Sequence, residues 1–265
     1  MSEPWSEGFV VEAVGGQALA RVLPRPVCPW CGGEGRREVV VDGSPRVARC
    51  RCQKLPDRVA LFNAAQVPAR HAGCTMDSFR LDLPGVKPGW QATRGWLDRY
   101  RPGEENLGLI LEGEPGRGKT HLLCAALREL VFRHGVAVRF IEFTHLLSAM
   151  KESFDRKDGG VTLTPLVQVP VLAVDELGKG RKTDWELAVV DEIVSRRYNA
   201  RGTLLGTTNF PSRPPARRPD APDTLALPGI ETLADRIGER SFSRLKETVT
   251  FAPALGEDFR RTRGR

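Results

Sequence analysis

Short apolar runs alternate with amphipathic stretches over the last two thirds of the chain. Four apolar runs, at residues 107–111, 136–142, 169–174 and 203–209, predict β-strands. Between these runs, apolar positions recur three or four residues apart, which predicts helices over 120–132, 144–154 and 185–198. Strands that alternate with helices are typical of a parallel sheet with crossover connections. The pattern therefore predicts an α/β fold with helices on both faces of the sheet.

The pattern changes towards both ends of the chain. Proline–glycine pairs at 84–85 and 88–89 indicate a boundary, so we expect a module over residues 1–70 and the α/β domain over 71–265. Residues 211–228 are rich in proline and predict an exposed loop. The remaining predicted elements are helices over 55–65, 90–100 and 232–246, and a last strand over 248–251.

Residues 113–120 carry the pattern G-x-x-x-x-G-K-[ST], between a predicted strand and a predicted helix. Glycines let the backbone approach a ligand closely, and N–H groups at a helix start bind phosphate. The lysine would reach the β- and γ-phosphates of ATP, and the threonine hydroxyl would hold Mg²⁺. With both flanking elements present, a chance glycine-rich turn is disfavoured. The predicted nucleotide-binding residues are Gly113, Gly116, Gly118, Lys119 and Thr120.

A second set of polar residues follows the next two predicted strands. Asp175 and Glu176 end the apolar run 171–174, and ligands in open α/β folds bind at this edge of the sheet. We expect Asp175 to hold Mg²⁺ and Glu176 to deprotonate the attacking water. Asn209 ends the following strand and could orient that water, although a simple strand-end turn residue is an equal alternative.

Cysteines cluster before the α/β domain. Cys28 and Cys31 form a C-x-x-C pair, and Cys50 and Cys52 form a tighter C-x-C pair after a predicted hairpin. Two such pairs are typical of a structural zinc site with four sulfur ligands, in a zinc-ribbon-like module. A disulfide framework fits less well, because disulfides are disfavoured in a cytosol. A redox-active pair also fits less well, because no thioredoxin-like strand and helix surround the cysteines.

Positive charge is in excess, with 40 Lys and Arg against 33 Asp and Glu, which favours polyanionic partners such as nucleic acid. Arg236, Arg240 and Arg244 recur every four residues, as a solvated helix face or as an arginine finger for a neighbouring subunit. Lys179, Arg181 and Lys182 form a second basic run, which fits DNA contact or a solvated loop. No signal peptide or membrane span is apparent, so we expect a cytoplasmic protein.

These motifs together resemble the DnaC/DnaI-type replicative helicase loaders, a branch of the AAA+ ATPases with the IstB transposition ATPases as close kin. The resemblance lies in residues 143–155, 174–178, 193–198, 206–209 and 237–240. It implies that Arg244 is the arginine finger and that Arg260, in the segment Glu257–Arg260, contacts the γ-phosphate within its own subunit. The long proline-rich loop and the C-x-C pair depart from the family pattern.

The resemblance also implies a function: an ATPase that forms an ATP-dependent homo-oligomer, holds single-stranded DNA and places a hexameric replicative helicase. Lys151 and Phe154, between the two nucleotide motifs, are candidates for DNA contact, because single-strand binders combine basic grooves with stacking aromatics. Core packing is the alternative for Phe154. Three alternative functions remain: an IstB-like ATPase that assists a DNA transposase, a small-molecule kinase, and an adaptor that binds ATP without hydrolysing it.

Overall fold

The computed structural model describes residues 8–24, 27–41, 43–156, 163–214 and 230–259, with the backbone alone for 51 and 153–156. Among the described helices, none combines the length and the apolar character needed to cross a bilayer.

A five-stranded parallel sheet forms the centre of the molecule, as the alternating pattern predicted. Its strand order is β6-β7-β8-β5-β9, so the strand before the phosphate loop lies between two strands that come later in the chain. Every residue of β7 and β8 is buried, as expected for inner strands covered on both faces. The strands are β5 (Gly108–Glu112), β6 (Val138–Glu142), β7 (Val171–Asp175), β8 (Thr203–Thr208) and β9 (Val249–Pro253).

Helices cover both faces of this sheet. Neighbouring residues of β5 point to opposite faces and belong to two different apolar clusters. Leu109 and Leu111 belong to a cluster with α2 and α3, whereas Ile110 belongs to one with α4, α6, α7 and α8. A π-helical turn over Leu130–His134 extends α3. The helices are α2 (Lys87–Arg99), α3 (Lys119–Glu129), α4 (Phe143–Arg156), α5 (Thr164–Gln168), α6 (Asp184–Asn199), α7 (Leu233–Ile237) and α8 (Glu239–Thr248).

The N-terminal region contributes two hairpins and the helix α1 (Lys54–Ala64). The first hairpin pairs β1 (Phe9–Val14) with β2 (Gln17–Val22), and the second pairs β3 (Arg36–Val41) with β4 (Ser44–Arg49). The sequence predicted the second hairpin and α1, and both are confirmed. It did not predict the first hairpin, whose strands meet at a glycine pair.

The first hairpin and α1 pack directly on the α/β core. The ring of Phe9 stacks on that of Phe132 with centroids 3.7 Å apart, and the N–H of Phe140 donates to the carbonyl of Ala65 at 2.8 Å. Phe9, Phe62 and Phe132 therefore belong to one hydrophobic cluster. The second hairpin is exposed on most of both faces. The boundary near residue 70 remains a prediction, and the apolar packing is continuous across it.

The helices differ from the sequence predictions at two places. The single helix expected over 232–246 is two helices, because Gly238 adopts φ 84° and ψ 143°, outside the helical region. The five-residue helix α5 was not predicted, because it is too short to show a helical period. Residues 215–228 of the predicted proline-rich loop lie outside the described part of the chain.

Candidate functional site

The phosphate loop joins the end of β5 to the start of α3. Gly113, Gly116 and Gly118 all have positive φ angles, of 144°, 82° and 77°. A Cβ on Gly118 would lie 2.6 Å from the ring of Phe79, and one on Gly116 would lie 2.0 Å from the carboxylate of Asp258. The positive φ angles therefore favour glycine at all three positions, as the sequence predicted.

Lys119 links the phosphate loop to the end of β8. Its buried ammonium group donates to the carbonyl oxygens of Gly113 at 2.6 Å and Glu114 at 2.8 Å. It also donates to the side-chain oxygen of Asn209 at 2.8 Å. Lys119 and Asn209 are 90 residues apart in sequence, and the parallel pairing of β5 with β8 brings them together. Oxygen atoms thus surround the ammonium group that we expect to bind phosphate oxygens.

Thr120 and Asp175 meet at the same edge of the sheet. The Thr120 hydroxyl donates to the Asp175 carboxylate at 3.0 Å, and the Thr207 hydroxyl donates to it at 2.5 Å. Burial raises the pKa of Asp175, although these two hydroxyl donors oppose the rise. A hydroxyl next to a carboxylate is the kind of oxygen pair that holds Mg²⁺ in proteins with this loop. The two residues therefore fit a magnesium site.

Glu176 follows β7 in an uncommon backbone conformation, with φ 57°. Its N–H donates to the Thr207 hydroxyl at 3.0 Å, and its carboxylate accepts a hydrogen bond from the Lys179 ammonium at 2.5 Å. Residues other than glycine adopt positive φ only where the surroundings impose it, and such positions are common at functional sites. The backbone conformation therefore fixes the position of Glu176, and the hydrogen bond from Lys179 orients its carboxylate.

The three arginines at four-residue spacing have different surroundings. Arg236 donates to backbone carbonyls within its own subunit. Arg244 is paired with Asp191 at 3.1 Å and its side chain is 25% exposed, whereas the side chain of Arg240 is 74% exposed. The arrangement is thus not one solvated face. The finger role of Arg244 remains a prediction, and Arg260 lies outside the described residues.

The two candidates for DNA contact lie on α4. Lys151 is exposed, whereas Leu146, Leu147 and Met150 of the same helix are buried in the core. The backbone of Phe154 is helical, but its side chain lies outside the described part of the structure. The DNA contact of Phe154 therefore stays a prediction, and core packing stays its alternative.

The four cysteines converge next to the second hairpin. The sulfur atoms of Cys28, Cys31, Cys50 and Cys52 all lie within 4.8 Å of one another. Cys28 is 3.8 Å from Cys50, and Cys31 is 3.6 Å from Cys52. Zinc–sulfur bonds of about 2.3 Å in a tetrahedron place the sulfurs about 3.8 Å apart. The set therefore fits a zinc ion.

Three functional contacts were absent from the sequence predictions: those of Thr207 with Asp175, Lys179 with Glu176, and Arg236 with the turn after β7. Thr207 could have been found, because it precedes Thr208 and Asn209 at the end of a predicted strand. The contacts of Lys179 and Arg236 depend on tertiary packing and left no local signal in the sequence.

Comparison with known proteins finds similar sequences in an ATP-binding family and among helicase loaders. Residues 100–213 match the sequence profile of the family described as IstB-like ATP binding protein. The replicative helicase loader DnaC of Escherichia coli strain K12 is 28% identical over 145 residues, which are 53% of this chain and 57% of the loader. The chain thus spans little more than half the length of this curated relative.

Solved structures show the same architecture over a longer stretch. The crystal structure of the DnaC helicase loader is 26% identical with a TM-score of 0.57, and the match covers 69% of this chain and 98% of the loader. The crystal structure of DnaI, at 22% identity and a TM-score of 0.54, shares the fold over 73% of this chain and 94% of that one. By its sequence over residues 100–213 and by its fold, the chain is thus similar to the IstB-like ATP binding proteins and to the DnaC helicase loader.

Proposed function

We propose that this protein is an ATP-dependent loader of a replicative DNA helicase that hydrolyses ATP at the site formed by β5, β7 and β8. One observation carries the proposal: two contacts join the phosphate loop to the ends of the neighbouring strands. These are the contacts of Thr120 with Asp175 and of Lys119 with Asn209. The relationship to the DnaC loader supports the choice of client.

Each residue of this edge has a distinct task in hydrolysis. Lys119 would exchange its carbonyl partners for the oxygens of the β- and γ-phosphates, and Thr120 and Asp175 would hold Mg²⁺. The ion would neutralise charge on the phosphates. Asn209 would orient the attacking water, and Glu176 would accept its proton. Because the Glu176 carboxylate is bonded to Lys179, it has to leave that partner before it can act as the base.

The interaction partners follow from the same proposal. We propose that ATP-bound copies assemble into a homo-oligomer in the cytoplasm, with Arg244 completing a neighbour's site. Single-stranded DNA would bind along exposed basic residues, among them Lys151 and the run at 179–182, since phosphate contacts dominate such binding. The zinc-bearing hairpin, with four sulfur ligands, would contact the hexameric helicase. Phe154 and Arg260 keep their predicted roles in DNA and nucleotide contact.

A capture experiment tests the function. The Glu176→Gln variant should bind ATP, lose turnover and retain a hexameric helicase and single-stranded DNA, because the glutamine cannot accept a proton. The control is Lys119→Ala, which removes the charge of the phosphate loop from the β- and γ-phosphates and should retain neither partner. A Glu176→Gln protein that hydrolyses ATP at the wild-type rate would remove the catalytic assignment.

A second candidate function is that of an ATPase that assists a DNA transposase. The match of residues 100–213 to the IstB-like family favours it. The same capture experiment separates the two candidates, because the Glu176→Gln protein would then retain a transposase in place of a hexameric helicase.

A further inference from the structure

The turn that carries Glu176 is held from two sides. On one side, β8 fixes it: the N–H of Leu177 donates to the carbonyl of Thr207 at 2.8 Å, and the hydroxyl of Thr208 donates to the carbonyl of Leu177 at 2.8 Å. Within the turn, the N–H of Lys179 donates to the carbonyl of Glu176 at 3.0 Å. These bonds do not involve the carbonyl groups of Gly178 and Gly180, which accept hydrogen bonds from the other side of the turn.

Arg236 provides that second side. Its Nε donates to the carbonyl of Gly178 at 3.0 Å, and its Nη2 donates to the carbonyl of Gly180 at 2.5 Å. Its guanidinium carbon lies 4.9 Å from the ring centroid of Phe210, the residue after Asn209. One guanidinium group thus contacts both the turn after Glu176 and the segment after Asn209.

The short helix α7 holds Arg236 in this position. Thr232 and Asp235 form a capping box at its start, and Leu233 and Ile237 are almost completely buried. The N–H of Leu233 donates to the carbonyl of Pro211 at 2.9 Å, which ties the helix to the segment after β8. With 13% of its side chain exposed, Arg236 has little freedom to move away. Direct contacts therefore join the helix, the turn and the strand end.

We propose that Arg236 is a positioning residue for hydrolysis, which fixes Glu176 relative to Asn209. The inference rests on the proposed ATPase activity. Arg236 makes no described contact with Lys119, Thr120 or Asp175, so its loss should slow the chemical step and leave nucleotide binding unchanged. A displacement of about 1 Å at a reacting group costs on the order of 100-fold in rate.

The experiment compares Arg236→Ala with two matched variants in the full-length protein. Arg236→Ala should lower kcat by roughly 10–100-fold with an unchanged Kd for ATP. Arg236→Lys should recover part of the loss, because one ammonium group can donate to one of the two carbonyls. Added guanidinium ion at low concentration should also raise the rate of Arg236→Ala. Arg197→Ala is the control, because Arg197, like Arg236, donates to several backbone carbonyls, but those of Arg197 belong to residues 166–170 and 203 and not to the turn after Glu176.

Amide hydrogen exchange at residues 176–180 gives a readout that does not depend on hydrolysis, and it should accelerate in Arg236→Ala alone. Unchanged exchange in that turn, or an unchanged kcat, overturns the positioning role. A kcat lowered equally in Arg197→Ala also overturns it, since both effects would then reflect stability. A wild-type protein that binds ATP without turnover would instead contradict the proposed function, and that result is visible before any variant is made.

Discussion

Asp175 illustrates at the level of a single residue how a binding site weakens the ligand-free protein. Its carboxylate is buried at the sheet edge, and burial raises its pKa. An acid whose pKa is higher in the folded state than in the unfolded chain lowers the stability of the fold as the pH rises from the ordinary pKa to the raised one, and the loss is complete above the raised pKa. The stability lost there is recovered when a cation binds.

This argument predicts the effect of Asp175→Asn, which imitates the protonated acid. In the absence of nucleotide and magnesium, the variant should be more stable than the wild type at neutral pH. The difference should shrink as the pH falls towards and below the raised pKa, because the wild-type carboxyl then becomes neutral as well. Denaturant titrations of both proteins across that pH range measure it. A difference that grows on acidification would contradict the role of burial.

Arg197 shows the opposite use of a buried charge. Its guanidinium group donates to backbone carbonyls just before β7, such as those of Val167 at 3.0 Å and Pro170 at 3.0 Å, and to the carbonyl of Thr203 at the start of β8. Burial lowers the pKa of Arg197 to about 10. We predict that Arg197→Met destabilises the fold by about 3 kcal/mol, because several buried carbonyls lose their donors. Thermal or denaturant unfolding measures the loss. The exposed Arg201, whose ion pair with Glu105 is largely solvated, is the control and should cost less than about 1 kcal/mol on substitution by Met.

At the level of elements, the second hairpin has few means of stability apart from its cysteines. Val40 and Val47 are exposed on it, and isolated two-stranded hairpins are marginally stable. The first hairpin and α1 differ, because both pack on the α/β core. The two halves of the N-terminal region should therefore respond differently to loss of metal.

We predict that the purified protein carries one zinc ion and that a strong chelator loosens residues 28–52 without affecting ATP binding. Amide exchange over the two hairpins measures this, with β1–β2 as the internal control. Cys52→Ser should reproduce the effect of the chelator. Freshly reduced protein without metal would exclude the zinc site.

The joint between α7 and α8 gives a further prediction. A Cβ on Gly238 would meet no heavy atom within 4 Å, so the cost of a side chain there arises from the backbone alone. Its dihedrals of φ 84° and ψ 143° are unfavourable for other residues. Gly238→Ala should therefore destabilise the fold by roughly 1–3 kcal/mol in denaturant titrations. A neutral substitution would show that the joint tolerates a straighter path.

The elements also show what a sequence can predict here. β5, β7 and α3 were predictable because apolar runs and the glycine pattern are local signals. The break at Gly238 was not, because glycine also occurs inside helices and only packing shows its dihedral. In the site, Lys119, Asp175 and Asn209 were predictable, since parallel strands end at the same edge. The contacts of Lys179 and Arg236 depend on how a turn packs on α7, which no local pattern encodes.

At the scale of the whole molecule, α8 carries two arginines, Arg240 and Arg244, that are candidates for contact with a neighbouring subunit. Arg244 is held by Asp191, which also accepts a hydrogen bond from the hydroxyl of Ser241 at 3.3 Å. Arg240 is the more exposed of the two. A finger at position 244 therefore has to leave Asp191 from a partly buried position, whereas one at position 240 leaves the same carboxylate, 3.8 Å away, from a largely exposed position.

We predict that Arg244→Ala binds ATP normally and hydrolyses it slowly, by a factor on the order of 10³ or more if the arginine acts in a neighbouring subunit. Mixing it with Lys119→Ala should restore part of the activity, because some pairs then combine an intact phosphate loop with an intact arginine. Arg240→Ala, mixed in the same way, tests the alternative position. Normal rates for Arg244→Ala at every protein concentration would favour a monomeric ATPase.

The strand order has a consequence for folding of the nascent chain during translation. β5 carries the phosphate loop and is made before both of its neighbours in the sheet, β8 and β9. During synthesis the nascent chain therefore exposes a strand with two unpaired edges until residues 203–208 and then 249–253 have emerged. A stalled chain that ends before residue 249 cannot complete the sheet around its phosphate loop. Nucleotide can thus stabilise the completed sheet only after residues 249–253 have been made.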